Sequence, residues 1–223
     1  MKTAFLAVFI SFLFSFSAPE KSTSGSFTMR MENSKDKQVT TSECYLKGAN
    51  MLAITTMSNN PGKKIKVIVN ADDHAMYMID DDKKTAMKMP FDQMASAVQA
   101  NTDEPKVTFT DEYQTINGYK CRKVLSDSKT GTSENWITND VDIDFSSVSK
   151  AFASLSRGSG RPANEYADFK GFPIKCIITG KQDGHVSTIT YTNIKAGSVD
   201  ASLFDVSGYK IQDISSQMGG KGR

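Results

Sequence analysis

Residues 26–32 read SFTMRME, with Phe27, Met29 and Met31 alternating against Thr28, Arg30 and Glu32. A period of two places alternate side chains on opposite faces of an extended chain, the signature of a half-buried strand. The same pattern recurs along most of the chain. Residues 39–47 and 51–57 are predicted as strands about a Gly48-Ala49-Asn50 turn. Asn59-Asn60-Pro61-Gly62 is expected to turn the chain into 65–69, where Ile65, Val67 and Val69 alternate with Lys64 and Lys66. Residues 75–79 and 85–89 flank the polar run 80–84 as a hairpin. Residues 107–116 and 119–125 flank Asn117-Gly118. Residues 126–131 turn into 133–138, and 172–179 with 186–194 form a last hairpin about 181–184.

Two stretches change period. From Pro90 to Ala100, Phe91, Met94, Ala95 and Val98 make an apolar stripe at helical spacing, and Pro90 suits a first helical position. A second helix is expected to begin at Asp142 or Asp144, either a fit N-cap, with Phe145, Val148, Phe152 and Leu155 as its stripe. Residues 156–164 (SRGSGRPAN) have the composition of a surface loop. Many neighbouring strands with inserted helices predict a β-rich α+β fold: a curved antiparallel sheet covered on one face by two or three helices. Either a packed core or a groove would lie between the layers.

The first residues bear on compartment. Met1-Lys2-Thr3 is a short basic segment, 4–16 is unbroken apolar, and Ser15-Phe16-Ser17 gives the small-x-small pattern of a cleavage site. Residues 1–17 are therefore expected to be a signal peptide. Its apolar run, about 13 residues, is shorter than the roughly 20 that span a membrane. The expectation is a protein exported to the periplasm or secreted and soluble after cleavage, with one domain over 18–217 and a disordered tail over 218–223. A formal net charge of +2 and the lack of a basic stripe speak against a nucleic-acid partner.

Cys44, Cys121 and Cys176 are an odd count for an oxidising compartment. Alternation turns Cys121 and Cys176 inward. A bridge between them is open, but one intervening strand would part them by about 9.6 Å, beyond disulfide reach. Buried free thiols are the other reading.

Motifs for catalysis are missing. The two histidines, His74 and His185, stand beside predicted turns. Asp140-x-Asp142-x-Asp144 opens like a calcium loop, but Phe145 and Ala151 stand where glycine and glutamate are required. No serine elbow or phosphate loop is present. The expectation is no metal, no cofactor and no enzyme, a hydrolase with an unrecognised site being the remaining catalytic reading.

Methionine is the compositional signal. Met29/Met31, Met76/Met78 and Met87/Met89 are pairs at two-residue spacing, each on one strand face, and Met94 lies on the first helical stripe. Methionine is flexible and polarizable and suits surfaces that fit apolar ligands of variable shape. It also simply fills cores. Phe27, Met29, Met31, Met76, Met78, Met87, Met89, Phe91 and Met94 are the candidate lining of an apolar site.

Four segments carry a family resemblance: residues 24–27 (SGSF); 76–89, where Tyr77 and Asp80 precede a lysine-containing turn; Ile116-Asn117-Gly118-Tyr119-Lys120-Cys121 followed by 134–138 (ENWIT); and 189–211, with Ser202-Leu203-Phe204 and Gly208-Tyr209-Lys210. In these the chain resembles the periplasmic lipoprotein carriers of the LolA/LolB type, and more closely exported bacterial proteins of that type. The resemblance implies an incomplete barrel with helices as a lid over an apolar cavity that takes acyl chains, and hence a lipid or acylated protein as partner. Its alternative is an envelope interaction or structural protein with a closed core and no small-molecule ligand.

Overall fold

The computed structural model describes residues 21–91, 105–144 and 171–213. Within them the chain forms a single 12-stranded sheet: β1 Ser24–Asn33, β2 Val39–Lys47, β3 Asn50–Met57, β4 Asn60–Asn70, β5 Ala75–Asp80, β6 Thr85–Pro90, β7 Lys106–Ile116, β8 Tyr119–Asp127, β9 Gly131–Thr138, β10 Phe172–Gly180, β11 Val186–Ala196 and β12 Lys210–Asp213. Their order across the sheet is β12-β6-β5-β4-β3-β2-β1-β11-β10-β9-β8-β7. Consecutive strands pair antiparallel from β1 to β6 and from β7 to β11, β1 and β11 join the two halves, and β12 joins β6 in parallel.

The α+β expectation is therefore corrected to an all-β architecture. Among the described residues no helix covers the sheet, and the sole complete helical element is a 3-10 turn, Ala201–Phe204. Pro90, expected at a helix start, is instead the last residue of β6. It lies past Lys88, the last β6 residue that β12 pairs, so its missing N–H costs that ladder nothing. Of the two predicted helices, 92–100 and 145–155 lie outside the described residues, as do the expected signal peptide, the 156–164 loop and the 218–223 tail.

The turn expected at 59–62 is also displaced. The reversal falls at Ser58-Asn59, and β4 already begins at Asn60. Met57 pairs with Asn60 while Thr56 pairs with Lys64, so Pro61 and Gly62 sit in a bulge. A bulge leaves residues out of the ladder and so tolerates a proline.

One face of the sheet holds the main core, built from Phe27, Cys44, Leu46, Met51, Val69, Phe172, Ile174, Cys176 and Tyr191 among others. Phe27, Phe172 and Tyr191 meet pairwise with ring centroids 5.6–5.7 Å apart. Edge-to-face and tilted contacts at this spacing satisfy the ring quadrupoles as well as burying area. The sheet bends around this cluster: the β7–β8 turn folds over it so far that Asn117 Nδ2 donates to the Tyr191 carbonyl at 3.3 Å. We call this the inner face.

The outer face carries a second cluster, Leu52, Ile68, Ala75, Tyr77, Ile79 and Ala86. The stretch after β11 crosses it, packing Phe204, Val206 and Tyr209 against the cluster before β12 docks on β6. Asp200 opens the 3-10 turn by accepting from the Ser202 N–H at 2.9 Å.

β9 lies between β8 and β10, so Cys121 and Cys176 stand two strands apart, and all three cysteines are buried thiols outside any disulfide. Asp111 shares the alternation phase of Phe109 and Tyr113, and all three are exposed. A register shift falls between Phe109 and Tyr113, and Asp111 there lies 3.3 Å from Arg122 Nη2.

Candidate functional site

Residues directly opposite one another in an antiparallel ladder project from the same face. The registers Met76↔Met89 and Met78↔Met87 place both methionine pairs of the β5–β6 hairpin side by side. Val69↔Met76 and Val67↔Met78 carry that face into β4. Ala53↔Val67 and Thr55↔Ile65 carry it into β3, and Ser42↔Thr55 into β2. Met29↔Ser42 and Met31↔Thr40 bring it to β1, and Tyr191↔Met29 and Ile189↔Met31 to β11. Met29, Met31, Met76, Met78, Met87 and Met89 thus share the inner face with Phe27. Phe91 and Met29 pack against its core cluster. Met94 lies outside the described residues.

This face has two unequal halves. Toward the β2–β3 and β4–β5 turns it is closed by the aromatic cluster and by Val141 and Ile143. The closure is drawn tight by Ser22, whose N–H donates to the Asp142 carbonyl and whose carbonyl accepts from the Asp144 N–H, both at 2.8 Å. Toward the β1–β2, β3–β4 and β5–β6 turns the same face opens. Met31, Met78 and Met87 are there 36%, 39% and 37% exposed. Met57, Ile65 and Val67 are half-buried beside them. On the floor, Ser42 Oγ and Thr55 Oγ1 share a hydrogen bond of 2.8 Å.

At the open end, β4 runs past the end of β5, because Lys66↔Ile79 begins their pairing. An open hollow of about 1270 Å³ lies along this overhang, lined by Ile65, Met78, Met87, Lys63, Lys64 and Gln212 and edged by the 80–83 turn. The turn's carboxylates are largely committed. Asp80 lies 3.1 Å from Lys83 Nζ and Asp81 3.3 Å from Lys66 Nζ, and Tyr209 donates its hydroxyl to Asp81. The Lys83 backbone N–H holds Asp80 below the ordinary carboxylate range, and the Tyr209 hydroxyl does the same for Asp81.

Among the described residues, groups that could do chemistry do not converge. His185 Nδ1 lies 2.6 Å from Asp183 Oδ1 in the exposed β10–β11 turn, and His74 stands in the β4–β5 turn with φ 49°. Burial pushes the Cys44 thiol up to about 12, which keeps it protonated and inert. Among the described residues no three His, Cys, Asp or Glu side chains are grouped to hold a metal. Among the same residues no helix is long and apolar enough to cross a membrane.

Sequence reading missed Met57, Ile65 and Val67 as neighbours of the methionine pairs. Their alternation was visible, but which strands adjoin was not.

The family model for the domain of unknown function DUF4412 matches residues 25–209. The chain belongs to this family. Its match begins at Gly25 in β1 and ends at Tyr209, so it takes in both the inner face and the crossing outer segment. No curated protein matches this DUF4412 chain. Among solved structures it is similar to PNGF-II at 14% identity and a TM-score of 0.44, over 88% of this chain and 33% of that one. The chain thus spans about a third of PNGF-II. It is also similar to a LolA superfamily protein from Nitrosomonas europaea at 9% identity and a TM-score of 0.39, over 82% and 90% of the two chains. An outer membrane lipoprotein-sorting protein domain from Vibrio parahaemolyticus is similar at 8% identity and a TM-score of 0.32, over 82% and 88%. Structures of the type named by the sequence resemblance are thus among those the chain is similar to.

Proposed function

We propose that this DUF4412 chain is a non-enzymatic exported module that binds an apolar or lipidic ligand, a lipid or an acylated protein, on the open half of its inner face. One observation carries this reading. Three methionines from three strands, Met31, Met78 and Met87, stand exposed on the face whose other half is the protein's main core. A side chain that contributes only to packing is buried where the face closes. Large apolar groups left in water on a continuous concave surface mark a place where something else is buried. Methionine's three rotatable bonds and polarizable sulfur let such a surface follow chains of differing shape.

Lipid extraction and native mass spectrometry of protein purified from its envelope fraction test the proposal. The expected result is a co-purifying apolar molecule that is lost when Met31, Met78 and Met87 are replaced together by glutamine. Ligand-free protein that also fails to take up a fluorescent acyl probe would favour the alternative, an envelope interaction protein with no small-molecule ligand. The fully packed half of the same face, with Phe27, Phe172 and Tyr191 in mutual contact, is what speaks for that alternative.

A further inference from the structure

One row of the inner face changes character along its length. The pairings Met31↔Ile189, Ile189↔Cys176, Cys176↔Asn135, Asn135↔Val124 and Val124↔Phe109 carry it straight across from β1 to β7. Met31 and Phe109, its two ends, are exposed, and every position but one is apolar. That one, Asn135, is 2% exposed. The adjoining row toward the open end sets Ser126 opposite Ser133, and Ser126 is 3% exposed. Asn135 Nδ2 donates to Ser133 Oγ at 2.8 Å and to the Val124 carbonyl at 3.5 Å. Among the described residues no donor reaches Asn135 Oδ1, and no partner reaches the Ser126 hydroxyl. Buried polar groups left unmatched are costly, and the great majority in folded proteins have a partner. Asn135 and Ser126 are diagonal neighbours across the β8–β9 ladder. An open acceptor beside an open hydroxyl is complementary to one further hydroxyl group, which donates to the first and accepts from the second.

We infer that the apolar ligand carries an uncharged, hydroxyl-bearing head of the fatty-alcohol or monoacylglycerol type. Its O–H donates to Asn135 Oδ1, its oxygen accepts from the Ser126 hydroxyl, and its chain lies back over Ile189 to Met31. This inference rests on the apolar-ligand reading above and adds the chemistry and place of the head. Met31 and Asn135 stand three strands apart, about 14 Å, a span that an acyl chain lies along. Neither row holds a charged side chain, so an ionic head would be desolvated there with no counter-charge. A neutral hydroxyl loses less on leaving water and recovers it in two hydrogen bonds.

Displacement of a fluorescent acyl probe from the full chain by 1-dodecanol, 1-fluorododecane and dodecanoate tests it. Fluorine matches the hydroxyl in size but donates nothing. The alcohol is expected to bind about tenfold tighter than the fluoride, and tighter than the carboxylate. Asn135→Leu, of similar size, is expected to abolish the preference for the alcohol. Ser126→Ala removes no hydrogen bond between described residues, so it is expected to fold and melt as the unaltered protein does while reducing the preference about threefold. It decides the matter where Asn135→Leu does not fold. Equal binding of alcohol and fluoride overturns the head assignment but leaves the apolar site standing. So does tighter binding of dodecanoate than of the alcohol, or a preference undiminished in Ser126→Ala. Failure of the fluorescent probe and of all three competitors to bind overturns the apolar site itself.

Discussion

Tyr209 donates its phenolic hydrogen bond to Asp81 across a sequence separation of 128 residues. The bond ties the crossing segment to the β5–β6 turn, just before Lys210 N–H donates to the Lys84 carbonyl at 2.8 Å and β12 begins. Lys84 Nζ over the Tyr209 ring, 5.5 Å from its centroid, adds a second contact. With the ring packed into the outer cluster, this one residue anchors β12 to the β6 edge.

Tyr209→Phe keeps the ring and removes the bond. Because Asp81 is half exposed, the expected loss is about 1 kcal/mol, with faster amide exchange at Ile211 and Gln212 and little change in β1 or β2. A uniform change in exchange across the sheet would argue against a local anchor.

The same bond sets a pH window. Asp81 is held below its ordinary value of 3.8, with the Tyr209 hydroxyl the leading cause. Its contribution is complete above that value and is lost as pH falls through the lowered one. Tyr209 is raised above 10.0 by Asp81, so its contribution is complete below 10.0 and is lost as pH rises through the raised value. Amide exchange of β12 measured across pH, after correction for the intrinsic rate, is expected to show most protection between these limits.

Phe172→Ala removes a fully buried ring from the aromatic cluster and is expected to cost about 3–5 kcal/mol in urea unfolding. Met78→Ala, on the open half of the same face, is expected to change stability by at most about 0.5 kcal/mol. A core-sized loss at Met78 would mean that the open half is packed shut in solution.

A Cβ at Gly25 would stand 2.5 Å from the Lys195 carbonyl oxygen and 2.7 Å from Ile143 Cδ1, where β1, β11 and the 141–144 segment converge. Gly25→Ala therefore forces backbone apart at the closed end, with an expected cost of about 1–3 kcal/mol. Gly62→Ala meets nothing within 4 Å and is expected to be nearly neutral by thermal melting.

Cys44, Cys121 and Cys176 are buried thiols outside any disulfide, so a thiol reagent is expected to label none of them in native protein and all three in denaturant. Adding reductant is expected to leave the melting temperature unchanged. A drop on reduction would require a bridge that the strand order forbids.

Period-two alternation made β1 to β11 legible to within a residue or two at most ends, β2 running over the expected 39–47; β4 is the exception, beginning five residues before the expected 65. Alternation also paired the methionines within each strand, because the pleat alone decides that Met29 and Met31, or Met76 and Met78, look the same way. The glycine and asparagine turns were legible for the same local reason, except at Pro61-Gly62, where a bulge absorbed the turn signal. The helical expectation for Pro90 failed because a fixed φ near −65° suits a strand end as well as a helix start.

What the amino-acid sequence determined by itself is thus a string of strands, each with an apolar side. Only the tertiary structure decided that β1 and β11 pair, that β12 returns to β6, and that three methionine pairs meet on one surface while part of it stays open. Those are choices of non-local partner. They depend on the sheet's bend, on aromatic packing between β1, β10 and β11, and on a segment crossing the outer face, and no window of the sequence contains both sides of any such contact.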